Sequence, residues 1–185
     1  KFIILSLLIG LSLFLGSALQ QVALIYTDVA NAAFFTIFYV PMVPIIIFIF
    51  RKKSIHWSVW PSVILCLFGG YLLTDFYNAT IRLGDSLVVL GALFWSTHII
   101  FTGIMVLKFN LPLTVGAIQT FIVSLLSLVI GLIYEEFILN NILNEIDSIL
   151  YAGVLSGGFA FVLQIYAQKN ITPAPAAIIF SLEGV

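Results

Sequence analysis

Charge is the scarcest thing in this sequence. Asp, Glu, Lys and Arg together make up 8% of its 185 residues, against 62% hydrophobic, whereas a soluble domain carries roughly a quarter of its residues as charges. So little polar material cannot coat a water-facing surface, which excludes a soluble globular domain and implies an integral membrane protein. The seven Lys and Arg are scattered through short loops and form no basic patch, so nucleic acid is excluded as a partner. Two histidines and one cysteine provide no metal-ligand cluster, no internal disulfide and no nucleophile arrangement. Cys66, inside an apolar run, reads as a small buried hydrophobe. No glycine-rich phosphate loop appears, which removes a nucleotide-driven motor from these residues. No cofactor is expected. The chain does not read as an enzyme, because an intramembrane enzyme needs convergent polar groups at one depth and the polar groups here are scattered.

Long apolar runs are what the sequence has in abundance. Crossing a bilayer core takes about 20 mainly apolar residues in a helix rising 1.5 Å per residue. Six complete candidates satisfy this: Phe2 to Tyr26, Val29 to Phe50, Trp57 to Thr74, Ser86 to Leu107, Leu111 to Tyr134 and Ile149 to Gln168. Ala174 begins a seventh that Val185 cuts off. Backbone groups in lipid must be satisfied within the segment, so each run is expected to be helical. Pro41 and Pro44 are expected to kink the second near its middle. Lys1 to Leu19 also fits a signal-peptide pattern, but the run stays apolar through Tyr26, and its end is repeated deep inside the chain. Starting at Lys1 and stopping in mid-span, the chain is expected to be a fragment of a longer protein.

Alternating the loops between two sides puts Lys1, Arg51, Lys52, Lys53, Lys108 and Lys169 on one side and Arg82 alone on the other. The positive-inside rule makes the first side cytoplasmic. The basic loop 51–56 is then cytoplasmic. The acidic loop 135–148, a candidate interfacial amphipathic stretch, is extracytoplasmic, as are Asp28, Asp75 and Asp85. Glu183 is the one acid outside any loop.

Leu19, Gln20, Ala23, Ala32 and Ala33 recur without a gap as Leu163, Gln164, Ala167, Ala176 and Ala177, an offset of 144 residues. The offset carries spans one and two onto spans six and seven. A shift of five spans is odd, so the second copy enters the membrane inverted. Inverted-topology repeats characterise secondary transporters, whose site lies near the midplane between the halves. The counterparts of spans four and five would precede Lys1, giving two units of five spans.

The motifs resemble a known family. Gly84-Asp85-Ser86-Leu87 running into Ala92-Leu93-Phe94-Trp95 looks like the opening of a second repeat of the drug/metabolite transporter superfamily, in its EamA-type permease branch. Tyr151-Ala152-Gly153-Val154-Leu155 leading to Leu163-Gln164-Ile165-Tyr166-Ala167 looks like the third helix of that repeat. Thr172-Pro173-Ala174-Pro175-Ala176-Ala177 into Ser181-Leu182-Glu183 looks like the start of its fourth. Gly184 stands where the family usually has proline, and the basic loop lacks a glutamate often found there. The resemblance implies an all-α ten-helix fold of two inverted five-helix repeats. Residues 1–84 would hold the last three helices of the first repeat, and residues 85–185 the second repeat, truncated in its fourth helix. It also implies a permease or exporter of small organic metabolites such as amino acids, multi-pass in the plasma or inner membrane.

Depth selects the candidate site residues. Glu183 lies eight residues past Pro175, about 12 Å into the core. A carboxylate there binds a cationic group, relays a proton, or serves as a hydrogen-bonded structural carboxyl. His98 and Gln119 fall at similar depth on successive spans; each reads as a cavity residue or as interhelical glue, and His98 also as a proton-sharing group. Gln20 and Gln164, as paired copies, either flank a cavity from opposite sides or hold helices together. Asn31, Tyr39, Trp95 and Tyr166 are further cavity candidates. The partners expected are a small-molecule substrate, membrane lipid and, through Glu183 or His98, protons. A channel and a non-transporting membrane protein, whether a structural subunit or a lipid-substrate enzyme, are the competing classes.

Overall fold

The structure, a computed structural model, describes residues 1–52, 54–73 and 82–184, and within them not the side chains of Leu73 and Glu183. The described residues are helical, without strands. The helices are α1 (Phe2–Ala23), α2 (Val29–Thr36), α3 (Tyr39–Arg51), α4 (Val59–Leu73), α5 (Leu83–Phe109), α6 (Pro112–Tyr134), α7 (Leu139–Asn144), α8 (Ile146–Leu150), α9 (Phe161–Gln168) and α10 (Pro173–Phe180). A π-helix, Tyr151–Ala160, joins α8 to α9, and a 3-10 turn, Ser181–Gly184, follows α10.

The polar turns noted in the sequence punctuate these helices for local reasons. Pro112 and Pro173 open α6 and α10, where proline's missing N–H costs nothing. Lys52 and Asn110, in the left-handed region with φ of 49° and 54°, end α3 and α5.

Five segments are long and apolar enough to cross a membrane: Phe2–Ala23, Val29–Arg51, Leu83–Phe109, Pro112–Tyr134 and Ile146–Gln168. The third expected span, Trp57 to Thr74, forms the 15-residue α4. Thr74 and the connection to residue 81 lie outside the described residues. The sixth span starts earlier than Ile149. Part of the segment expected as acidic loop is wound into α7 and α8, and α8 continues into the π-helix.

The second span is two helices rather than one, and the break falls at Ile37–Phe38, ahead of the prolines. Pro41 carries no N–H to donate to Ile37 O, and its ring crowds that same carbonyl. Val40 N–H takes Ile37 O instead, at 2.9 Å, while Ile37 and Phe38 N–H reach back only three residues, to Phe34 O and Phe35 O. The proline therefore acts one turn before its own position.

The long α5 is the centre of packing. α1 runs antiparallel beside it, with Gly84 against Ala23 and Thr27, Gly91 against the Gly16 carbonyl, Thr97 donating to Ser12 Oγ at 3.2 Å, and Phe2 edge-on to Phe109 at 5.2 Å. α2, α3, α6, α9 and α10 also pack on α5. At the Gly84 end, Thr27 Oγ1 donates to the buried Asp85 carboxylate, which also accepts Arg82 N–H at 2.8 Å. Arg82 forms an exposed ion pair with Asp28 at 2.7 Å. Asp85 is thus no loop residue, as the sequence suggested; it caps the first turn of α5, because the amides there need an acceptor. At the opposite end, Phe2 meets Phe109 while Arg51 and Leu107 line one crevice with Thr172. Lys1, Arg51, Lys108 and Lys169 therefore gather at one end of the bundle. The outward faces of α6 and of Ile146–Gln168 are apolar and exposed (Phe121, Leu125, Leu132, Val154, Phe159 and others), as lipid-facing or helix-facing surface must be.

Candidate functional site

Trp95 sits twelve residues into α5 and fourteen from its end, roughly 18 Å and 21 Å by helical rise. Its surroundings are set by close approach. Gly16 of α1 faces the Trp95 ring, where an added Cβ would stand 3.3 Å away. Trp95 Nε1–H donates to Gln20 Oε1 at 3.2 Å. On its other side the indole lies nearly parallel to Phe161 of α9, with ring centroids 6.2 Å apart and planes 11° from parallel.

Beside this stack is a cavity of about 210 Å³. Gln20, Ala33, Thr36, Ile37 and Tyr39 line it from α1, α2 and the break before α3. Trp95, Ile99, Phe161, Gln164, Phe180 and Ser181 line it from α5, α9, α10 and the turn after α10. Three pairs among these stand 144 residues apart: Gln20 with Gln164, Thr36 with Phe180, and Ile37 with Ser181. The two helices that bring the last two pairs share that register: α2 spans Val29–Thr36 and α10 spans Pro173–Phe180. Each has an extended N-cap residue, Asp28 or Thr172; α2 ends in three-residue hydrogen bonds, and α10 runs into a 3-10 turn.

Of the residues singled out in the sequence, Gln20, Tyr39, Trp95 and Gln164 line this cavity together. His98 and Gln119 do not line it. They form a fully buried pair one layer behind, with His98 Nε2 3.1 Å from Gln119 Oε1. Because a carbonyl oxygen only accepts, Nε2 donates in this arrangement. His98 stands edge-on to both Trp95 and Phe161 at 6.1 Å, so the aromatic stack separates it from the cavity. Among the described residues His98 Nδ1 and Gln119 Nε2 have no partner. Asn31 is buried in α2 and does not line the cavity. Tyr166 of α9 is half-exposed on the outside. The backbone of Glu183 lies in the turn that begins at Ser181, and its side chain lies outside the description.

The cavity is also lined by residues that the sequence did not offer as site candidates: Ala33, Thr36, Ile37, Ile99, Phe161, Phe180 and Ser181. The 144-residue offset held a usable signal for two of the pairs, since Thr36/Phe180 and Ile37/Ser181 follow from it once Gln20/Gln164 is noticed. Ile99 and Phe161 had no such signal. Behind the wall, Cys66 Sγ lies 3.4 Å from Ser181 Oγ, so the sole cysteine packs against the cavity lining.

Residues 82–185 match the sequence model of the EamA-like transporter family. A curated protein of Archaeoglobus fulgidus, described as an uncharacterized transporter, is 30% identical over 178 residues, which is 96% of this chain and 56% of that protein. The chain therefore spans little more than half the length of that relative. No solved structure matches.

Proposed function

The chain belongs to the EamA-like transporter family, and from that premise we propose that the cavity beside Trp95 is the solute site of a secondary transporter. The observation that carries this reading is the origin of the lining: three pairs of positions 144 residues apart, one from α1 and α9 and two from the ends of α2 and α10, line one cavity that carries polar side chains inside an apolar bundle. Polar side chains facing a cavity within a membrane core cost free energy unless something satisfies them, and intramembrane polar positions mark solute paths. Broken helices flanking a site between repeats are a recurring transporter device.

In this reading residues 1–84 belong to a first five-helix unit and residues 85–185 to an inverted second, within a ten-helix protein. One unit rocks against the other to expose the cavity alternately to either side. The end of the bundle bearing Arg51, Lys108 and Lys169 faces the cytoplasm of a cell whose plasma or inner membrane holds the protein. The solute is a small organic metabolite, with amino acids the class the family resemblance suggests. Gln20, Tyr39, Trp95 and Gln164 contact it. His98 with Gln119, and Glu183 by its place two residues past Ser181, are the groups available for proton coupling. Asn31 and Tyr166 stand outside the cavity and take no solute contact in this arrangement.

The test is counterflow in proteoliposomes carrying the full-length protein, with a panel of radiolabelled small metabolites. A carrier gives saturable counterflow, and Trp95→Ala and Gln164→Ala each lower it at least tenfold while protein incorporation is unchanged. Flux that rises linearly with solute concentration, or counterflow untouched by both variants, refutes the reading.

A further inference from the structure

Three helix ends meet where the basic residues gather. α3 finishes at Arg51, α5 reaches Leu107 two residues before its end, and α10 begins at Pro173. Left-handed Lys52 stops α3, and the chain after it brings Ser54, Ile55 and His56 alongside before α4 starts at Val59. Between these parts lies a second crevice, of about 300 Å³, which shares no lining residue with the cavity beside Trp95. Eight of its twelve lining residues are apolar, Ile47, Ile55, Val59 and Leu107 among them, so most of its wall suits hydrocarbon.

The polar part of the wall offers donors. The Arg51 guanidinium has no ion-pair partner among the described residues. His56 Nδ1 accepts the Ser58 amide at 3.4 Å, which leaves the ring proton on Nε2. The start of α10 adds a third donor. Pro173 and Pro175 carry no N–H, Ala176 N–H reaches Thr172 O at 3.2 Å, and the Thr172 side chain makes no cap bond. The Ala174 N–H is therefore left over at this helix start, on a buried residue that lines the crevice. A buried amide of this kind calls for an acceptor. No Asp or Glu lines the crevice among the described residues. The level of the crevice is set by its neighbours: three spanning segments begin or end there, and Trp57 and Trp60 on the adjoining turn are 73% and 40% exposed, as aromatic rings at the headgroup layer are.

We propose that this crevice binds the headgroup of an anionic phospholipid, with the phosphate between Arg51, His56 and the start of α10 and an acyl chain along Ile47, Ile55 and Leu107. A guanidinium pairs with two phosphate oxygens at once, a helix start favours the same charge, and basic pockets between spans are a recurring seat for such headgroups. A zwitterionic lipid also carries a phosphate, but its ammonium would find no acid in the wall. A free phosphate would leave the apolar wall unused. The lipid would touch α3 and α10 at the ends opposite to Tyr39 and Phe180, which line the cavity. The site stands whether or not that cavity carries the solute.

Native mass spectrometry of the full-length protein with added dioctanoyl lipids tests it. Phosphatidylglycerol is expected to bind at least tenfold more tightly than phosphatidylcholine of the same chains. Arg51→Gln, a change at an exposed side chain, is expected to bring that ratio down toward one. Lys169→Gln removes the same charge from the same end of the bundle but not from the crevice, and is expected to keep the ratio within twofold. Glycerol 3-phosphate, the phosphate without the chains, is expected not to displace the bound lipid. Equal binding of the two lipids overturns the proposal. An equal loss in both variants overturns it too, because surface charge alone would then gather the lipid. Displacement by glycerol 3-phosphate overturns it in favour of a site for soluble anions.

Discussion

Gly84 fixes how closely α5 approaches the corner between α1 and α2, and replacing it by alanine has a consequence that can be worked out from distances. The new Cβ would stand 2.6 Å from Ala23 O, 2.8 Å from Thr27 Cβ and 2.9 Å from Thr27 N, whereas carbon atoms in contact sit about 3.5–4.0 Å apart. Two of the three obstacles are backbone atoms, so no side-chain rotation relieves them. The start of α5 must retreat by about 1 Å, and a retreat of that size stretches the short Thr27–Asp85 hydrogen bond beyond bonding length. Overpacking of this kind costs about 1–3 kcal/mol, and a buried carboxylate losing a donor adds about 1.5–3 kcal/mol. Since each kcal/mol moves the midpoint by about 2–4 °C in a chain of this size, Gly84→Ala should lower Tm by roughly 10 °C. Thermal unfolding of the detergent-solubilised full-length protein, followed by circular dichroism, measures it. Gly69 of α4 provides the contrast: an added Cβ there meets nothing within 4 Å among the described residues, so Gly69→Ala should be neutral or gain up to about 1 kcal/mol of helix propensity. A Gly84→Ala protein that melts within 2 °C of the parent would refute the close-approach argument.

Other consequences follow from the same geometry. Gln119→Leu leaves the buried His98 ring without its acceptor and should cost about 1–3 kcal/mol, whereas the double replacement of His98 and Gln119 by leucine removes both polar groups and should be nearer neutral; a double-mutant cycle by thermal unfolding separates these outcomes. Arg82→Ala removes an ion pair whose partners are both solvent-exposed, so stability should change by less than about 1 kcal/mol, and by less still at high salt.

The helical plan was legible because it follows from one-dimensional quantities. Apolar length sets where a helix spans, and polar residues such as Asn110 and Lys52 set where it stops. Contacts were not legible. Asp85 read as a loop acid because it follows a polar stretch and precedes an apolar run, and only the Thr27 hydroxyl folded against it shows why it is inside. The kink was expected from the prolines, but its location at Ile37–Phe38 depends on which carbonyl loses its donor, one turn earlier than the proline itself. Tyr166 and Gln164 are both cavity candidates in the sequence, yet two residues along a helix turn the side chain through about 200°, and that rotation puts Gln164 on the cavity and Tyr166 outside.

Scarcity of charge, spacing of apolar runs and the 144-residue echo are properties of the sequence by itself, because the bilayer and the helix repeat act on composition and register. They determined a multi-pass helical membrane protein and pointed to Gln20 and Gln164 as a related pair. The tertiary structure decided what those two glutamines face. Gly16, Gly84 and Gly91 let α1 lie close to α5, which carries Trp95 between Gln20 and Phe161. The break made by Pro41 turns Thr36 and Ile37 toward the same space. Those outcomes depend on how two helices far apart in sequence approach each other, a distance that residue order alone does not contain.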